Sequence, residues 1–551
     1  MRVRHLLITA AAGLALADAS VVTLALPDLL VDLHTTVEGV AAVIGVYTVV
    51  LAGALIPAER AMRRAGPART GAAGLALFAA ASLVCAASGS LALLLVARGI
   101  QAVGGAATLV AAFALLASNR NARRLWLAAA VLASAIGPAL GGALTQAFDW
   151  RAIFIAQAPF AALAAIAAAL GPAALGPVPL ARQRALGVCP LFDTSATKGT
   201  VPSVALGLLS AALSAVLFLL VLMLVAGWSE EPLRAAVAVM MIPAGALIGA
   251  RAGGPLRRRA AAGCLLVGGG VLALALLPEA KLGWTLVPQA LAGAGMGMAL
   301  PALAGGLLPE RDSADAARLL TIRHFGIAVA LAILAPVVSH DLDAATQKAR
   351  ERGVALVLDA RLDPLEKVKL APALLKGVES SSPRAGLRAA IAQHRGDVQP
   401  DERAAYDHLA QRADETLTTA VGDAFRIAFL VTGAMALLAA LLLVRPPPAL
   451  ALGAATATIA AYAILHAALA PAPVRIQDPC KGHGHPGAGG ITGLLQDSAL
   501  DLLDATACRL HASREELVLA LADEQDRKRF VKRHGVDPRS LPSLLGGLLG
   551  G

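Results

Sequence analysis

The chain has 551 residues, 57% of them hydrophobic and 15% charged, with a net charge of +10. Soluble domains carry roughly 25% charged residues. Together with a mean hydropathy of +0.70, this excludes an ordinary soluble fold. The positive charge does not predict nucleic-acid binding, because the arginines stand between apolar runs and do not gather on one basic face. Aromatic residues are scarce at 3%, while Ala, Leu and Gly dominate, as suits helices packed closely in lipid.

A spanning helix needs about 20 apolar residues. In chain order, apolar runs predict spans near 6–30, 40–57, 70–88, 90–117, 125–147, 153–171, 203–227, 234–250, 261–278, 283–308, 318–338, 424–444 and 449–471, about thirteen in all. The first run is too long for the core of a signal peptide and has no cleavage site, so it reads as a span. Ser88-Gly89-Ser90 supplies the only turn within 70–117. The predicted fold class is therefore an all-α polytopic membrane protein. It comprises a six-helix bundle at 1–171, a cytoplasmic linker at 172–202, and five spans of a second bundle at 203–338. A helical insert at 339–423, a last bundle span at 424–445, an extra transmembrane helix at 446–471 and a small helical tail at 472–551 follow.

Loop charge sets the expected orientation. With the N-terminus in the cytoplasm, Arg60, Arg63, Arg64, Arg69, Arg120, Arg123, Arg124 and the Arg257–Arg259 triplet fall inside. The outer loops then hold little beyond Arg151 and Lys281. Parity puts both insert and tail outside a plasma membrane. Helix signals recur in the insert: Asp363-Pro364 before LEKVKLAPALLKGV, and Pro400-Asp401-Glu402 before an Ala-rich run. In the tail, TGLLQDSALDLLDATACRL and SREELVLALADEQDRKRFVKRHG read as amphipathic helices. Cys480 and Cys508 both lie there; if the tail is exported they can form a disulfide, the alternative being two free thiols. Cys480, His483 and His485 lack a fourth donor in pattern, so no metal site is predicted.

Six spans, a connection and a second set of spans is the layout of the major facilitator fold, and local sequence adds to it. In the first span, LADASVVTLALP resembles L-D-x-T-I-V-N-V-A-L-P, with Asp18 at the acidic position and Ala25, Leu26 and Pro27 at the end. RGIQAVGGAA resembles R-x-x-Q-G-x-G through Arg98, Gln101 and Gly104 or Gly105. IGPALGGAL is close to G-P-x-x-G-G, as Gly137, Pro138, Gly141 and Gly142. DWRAIFIAQAP resembles W-R-W-I-F-x-I-N-x-P through Trp150, Arg151, Ile153, Phe154 and Pro159, with Gln157 where Asn is usual. TIRHFG resembles A-R-Q-x-G through Arg323 and Gly326.

These motifs resemble the multidrug drug:proton antiporters of the major facilitator superfamily that usually have fourteen spans. The resemblance covers about residues 6–338 and 424–445, and does not reach the insert, the thirteenth span or the tail. One departure concerns the loop after the second span. Where that family reads G-x-L-A-D-R-x-G-R-R, this chain reads AMRRAGPAR, so Arg63 stands at the position of a latch aspartate and Glu59 is the candidate replacement.

The resemblance implies a secondary transporter moving a small molecule against protons. Asp18 would carry the proton and Arg98 would share its transfer; read from the residues alone, Asp18 is either a coupling group or a hydrogen-bonded packing residue. Gly137, Pro138, Gly141 and Gly142 would form a pivot and a seal, or ordinary small-residue packing. No GxxxxGK[ST] and no catalytic constellation is present, so neither ATP-driven transport nor an enzyme is expected. No cofactor is expected; the expected partners are the bilayer, protons, a small lipophilic substrate, and an envelope protein docking on the exported regions. The alternative is a non-transporting sensor or scaffold on the same fold.

Overall fold

A computed structural model describes residues 2–117, 137–170, 199–307, 313–378, 383–444, 446–481 and 491–540. The linker over 172–198, the first part of the fifth predicted span, Arg120, Arg123, Arg124, His483 and His485 lie outside the described residues. All regular structure among the described residues is helical. The chain divides into two compact units. The first holds Met1–Ala226, Glu230–His340 and Phe425–Ala468; the second holds Gly227–Ser229, Asp341–Ala424 and Leu469–Gly551.

The first unit begins with α1 (Arg2–Thr23) and α2 (Leu26–Asp32). The predicted first span is thus interrupted, because Pro27 has no N–H to continue α1 and instead opens α2. There follow α3 (Val37–Ala65), capped by the Thr36 hydroxyl on the Gly39 N–H, α4 (Pro67–Ala86) and α5 (Leu91–Ala117). Next come α6 over 137–147 and α7 (Arg151–Ala169). Helix α4 packs on α5 and α7, and α1 packs on α5 and α7.

The second half of this unit opens on α8 (Thr200–Val221), which passes into a π turn at Leu222–Gly227. The predicted span at 234–250 is two pieces, α9 (Pro232–Val239) and α10 (Met241–Gly249), the second carrying Pro243 in its first turn. Then come α11 (Leu256–Leu274) and α12 (Leu282–Leu307), which pack together. Helix α17 (Ala449–Leu469) docks where Tyr462 Oη donates to the Trp284 carbonyl at 2.7 Å and His466 Nδ1 donates to the Leu277 carbonyl at 2.8 Å. Among the described residues, ten helices are long and apolar enough to cross a membrane by length and composition.

Helix α13 (Ser313–Asp359) runs without a break from an apolar stretch into the polar insert, and α16 (Arg403–Leu443) runs likewise from the insert into an apolar stretch. The insert boundary at 339 is therefore a change of solvent preference along one helix, with no change of backbone. The insert adds α14 (Pro364–Val378) and α15 (Pro383–His394). Its core gathers Val357, Leu370, Leu374, Leu387, Leu409 and Leu417.

The tail has a separate core of Ala507, Leu517, Ala520 and Phe530. It is built from α18 (Ile491–Arg509), α19 (Arg514–Ala522) and α20 (Glu524–His534). The single helix expected over 513–535 is split because the Asp523 carboxylate accepts the Gln525 and Asp526 N–H groups and starts a new helix. A capping box of Ser513 and Glu516 opens α19, and Gly535 closes α20 at φ 73°. Two ion pairs join tail to insert: a buried one, Arg350 with Asp526 at 2.7 Å, and Arg514 with the half-exposed Asp359 at 2.8 Å. Cys480 and Cys508 are joined by a disulfide with Cα atoms 5.0 Å apart.

Candidate functional site

Close helix contacts bring the polar residues of the first unit together. A Cβ on Gly104 of α5 would stand 2.6 Å from the Phe78 backbone nitrogen of α4, so only glycine lets these backbones meet. That approach sets Ser82 of α4 beside Gln101 of α5. Arg98 and Gln101, three apart on α5, share one face. On α6, a Cβ at Gly141 would fall on the Val21 carbonyl of α1, and one at Gly137 on the Ser20 hydroxyl. The small-residue motif thus seats α6 on the segment of α1 that follows Asp18.

Asp18 and Arg98 have no exposed surface. Arg98 Nη1 lies 2.5 Å from Asp18 Oδ2 and donates to Gln101 Oε1 at 2.6 Å. Arg98 Nε donates to the Val43 carbonyl at 3.2 Å. Gln157 Nε2 donates to Asp18 Oδ1 at 2.9 Å, and Gln101 Nε2 donates to Gln157 Oε1 at 3.0 Å and to Ser82 Oγ at 2.9 Å. The guanidinium stacks over the Tyr47 ring at 4.3 Å and faces the Phe154 ring at 5.7 Å. Tyr47 Oη donates to the Ala15 carbonyl at 2.9 Å. Five helices contribute to this one network. Removing either charge would leave the other buried and unpaired, at about 3–5 kcal/mol.

The remaining predicted residues sit elsewhere. Trp150 and Arg151, at the start of α7, both bind Asp32 Oδ2, at 3.0 Å each, and so tie α7 to the end of α2, the helix that Pro27 opens. Gly105 faces the Tyr47 hydroxyl, and Pro138 is buried in α6. Arg323 is half-buried on α13 and takes no part in the network. His324 is buried, its Nδ1 on the Leu320 carbonyl at 2.8 Å, a local contact within its own helix.

Contacts join the two halves of the first unit near both of its ends. At one end, Glu59 accepts from Arg63 Nε at 2.5 Å and from Ser313 Oγ at the start of α13 at 2.9 Å. Glu59 is buried and its carboxylate meets a helix N-terminus, where negative charge is favoured. Midway, Thr321 Oγ1 donates to the Ala52 carbonyl at 3.3 Å. At the other end, Glu38 bonds Ser339, the Leu233 N–H donates to Gln146 Oε1 at 2.8 Å, and Gly142 abuts Pro232 and Ala236.

A sequence profile of the Major Facilitator Superfamily matches residues 8–335. The chain belongs to the Major Facilitator Superfamily. It is an all-helical, multi-pass membrane protein of that superfamily. Relatives include the methylenomycin A resistance protein of Bacillus subtilis, 34% identical over 158 residues, which are 27% of this chain and 34% of that protein. The drug efflux pump JefA of Mycobacterium tuberculosis is 32% identical over 153 residues, 26% of this chain and 30% of the pump. The lincomycin resistance protein of Streptomyces lincolnensis is 35% identical over 158 residues, 28% of this chain and 33% of that protein. The chain thus spans about a third of the length of the relatives it matches. The fold resembles that of a bacterial homologue of the human lysosomal transporter Spinster, solved inward-facing and unoccupied. The TM-score is 0.50 at 14% identity, over 80% of this chain and 97% of that one.

Sequence reasoning missed three partners in the network. Gln157 was visible only as a replacement for a usual Asn. Tyr47 carried a weak signal, as one of three tyrosines in the chain. Ser82 carried none, because a lone serine in an apolar run is as common in packing as in function.

Proposed function

We propose that this major facilitator transporter exports a small lipophilic molecule in exchange for protons by alternating access. The observation that carries the reading is the buried Asp18–Arg98 pair, the only acid–base pair among the described residues with both side chains wholly buried. An ionisable pair in a spanning bundle is costly unless it does work there. Proton uptake by Asp18 would release Arg98, and the contacts at the two ends would open in turn. The Glu59–Ser313 contact takes the role that Arg63 cannot fill. The names of the relatives, which speak of drug efflux and antibiotic resistance, support a small lipophilic cargo.

In this reading the chain crosses a plasma membrane thirteen times, with the N-terminus in the cytoplasm and the C-terminus outside. Insert and tail share one compact unit, which supports an even number of crossings between 424 and 469. The apolar part of α16 and α17 supply two. A disulfide in that unit favours an oxidising compartment. The insert and tail, with their own cores, would receive cargo or dock an envelope partner.

The test is Asp18→Asn in proteoliposomes carrying a fluorescent lipophilic dye under a pH gradient. Proton-driven accumulation should be lost while dye-for-dye exchange persists. Undiminished accumulation would overturn the coupling role.

A further inference from the structure

The hydrogen bonds around Asp18 have a direction fixed at both ends. Arg98 can only donate, so the Gln101 oxygen must face it. The Cys85 thiol, 3.9 Å away, donates weakly to the same oxygen. At the other end the Ser82 hydroxyl gives its proton to the Phe78 carbonyl at 2.8 Å, so its oxygen must accept from the Gln101 amide nitrogen. Turning the Gln101 amide would set N–H against guanidinium and oxygen against a committed hydroxyl. With Gln101 locked, its second N–H points to the Gln157 oxygen. The Gln157 nitrogen is then left facing Asp18 as a donor.

We infer that Gln157 is a positioning residue whose amide, locked as a donor, makes the sealed network accept only the Asp18 carboxylate. A protonated Asp18 must place its own O–H somewhere. Its side-chain partners among the described residues are the N–H of Gln157 and the N–H of Arg98, neither of which can accept. Proton uptake from solvent forms one O–H bond on Asp18 and breaks no covalent bond. It does oblige the α1–α7 contact, the α1–α5 contact or both to part. Gln157 thus links proton occupancy to helix separation. The inference rests on the proton-coupling reading but concerns a different residue.

Among the described residues, few other charged or titratable groups face this centre. Helix α5 offers Arg98, α3 offers Tyr47, whose proton is committed to Ala15, and α4 offers Cys85. Arg151 of α7 is engaged with Asp32 at the helix end. Helix α8 and residues 137–147 of α6 contain no titratable side chain, and α1 has no other over 6–23.

The test needs no substrate. The infrared band of protonated carboxyl groups is titrated on the full chain in liposomes, and Asp18 is isolated by subtracting Asp18→Asn in each background. Gln157→Leu, which deletes the donor, should move the midpoint up by about one pH unit, the size expected for one hydrogen bond to a charged group. Gln157→Met keeps the length without the amide; it should do the same, and serves if the Leu variant does not fold. An unchanged midpoint in the variant that folds would overturn the role of Gln157. That outcome is distinct from failure of the coupling reading, which shows as undiminished proton-driven accumulation by Asp18→Asn alone.

Discussion

The two units use polar side chains in opposite ways. In the first unit a handful of polar residues sits in an apolar lattice, and those around Asp18 form one directional chain of bonds. In the second, charge is abundant and much of it lies in solvent, as with Arg395 and Asp407, whose side chains are 61% and 50% exposed. Exposed pairs of that kind contribute about 0–1 kcal/mol. A buried group without its partner costs several times more. Changes to polar residues in the first unit should therefore alter mechanism, and changes to exposed pairs in the second should cost little.

The largest effect expected is from Gly141→Leu. Its side chain would have to occupy the place of the Val21 carbonyl, so α6 must leave α1. Overpacking costs about 1–3 kcal/mol even where neighbours can yield, and here the neighbour is backbone. Dye flux should be abolished while membrane insertion, read by protease protection, is retained. Normal flux from this variant would break the claim that α6 is seated on α1 to hold the network closed.

Next is the disulfide of the second unit. Its ends are 28 residues apart, so the double change Cys480→Ser with Cys508→Ser should destabilise the tail by about 3 kcal/mol. Tryptic cleavage of the tail should accelerate accordingly, with dye flux unchanged. A fall in flux would mean that the two units are not separable in function.

A smaller effect is expected from Glu59→Gln. The amide can still accept from Ser313 but loses the charge that answers Arg63 and the start of α13. The closed end should loosen by about 1 kcal/mol. Spin-label distances between the tips of α3 and α13 should show a larger open fraction. No change in that distribution would mean that Glu59 is not the replacement latch.

How much of this was legible in the sequence follows the same division. Apolar runs marked the helices of the first unit because lipid demands about 20 apolar residues for each crossing. Asp18 and Arg98 stood out because charge is rare within such runs. Gln157 and Ser82 did not, since their roles come from direction and register across helices that no local pattern reports. Pro27 was noted as a motif position and yet its break in the first span went unread, because the apolar run continues through it. In the second unit the helix signals at Asp363-Pro364 were readable, but α13 runs out of the first unit and α16 back into it without a break, so no boundary signal existed to read. The split at Asp523 was hidden by a charge-rich stretch that is helical on either side.

The smallest effect tests the second unit by pH. Lys367 is 8% exposed, and its Nζ donates to the Leu358 carbonyl at 2.8 Å. Burial pushes its ammonium down to about 8, with Asp359 pulling partly the other way. Below pH 8 the lysine is charged in both folded and unfolded chains, and the whole burial penalty weighs on the fold. Between about 8 and 10.5 the unfolded chain holds the proton that the folded one has released, so stability rises with pH. Tyr406, pushed up from 10.0 to about 12 by burial, works in the opposite direction but only from about pH 10 upward, at the end of this window. Solvent screening around Lys367 reduces the gain to about 1 kcal/mol. Denaturant midpoints of the second unit, followed by tail proteolysis, should therefore climb slightly from about pH 7.5 to about 10 in the parent chain. They should stay flat in Lys367→Met. A parent chain that is equally flat would mean that Lys367 reaches water, and that even the buried charges of the second unit are interchangeable in a way those of the first are not.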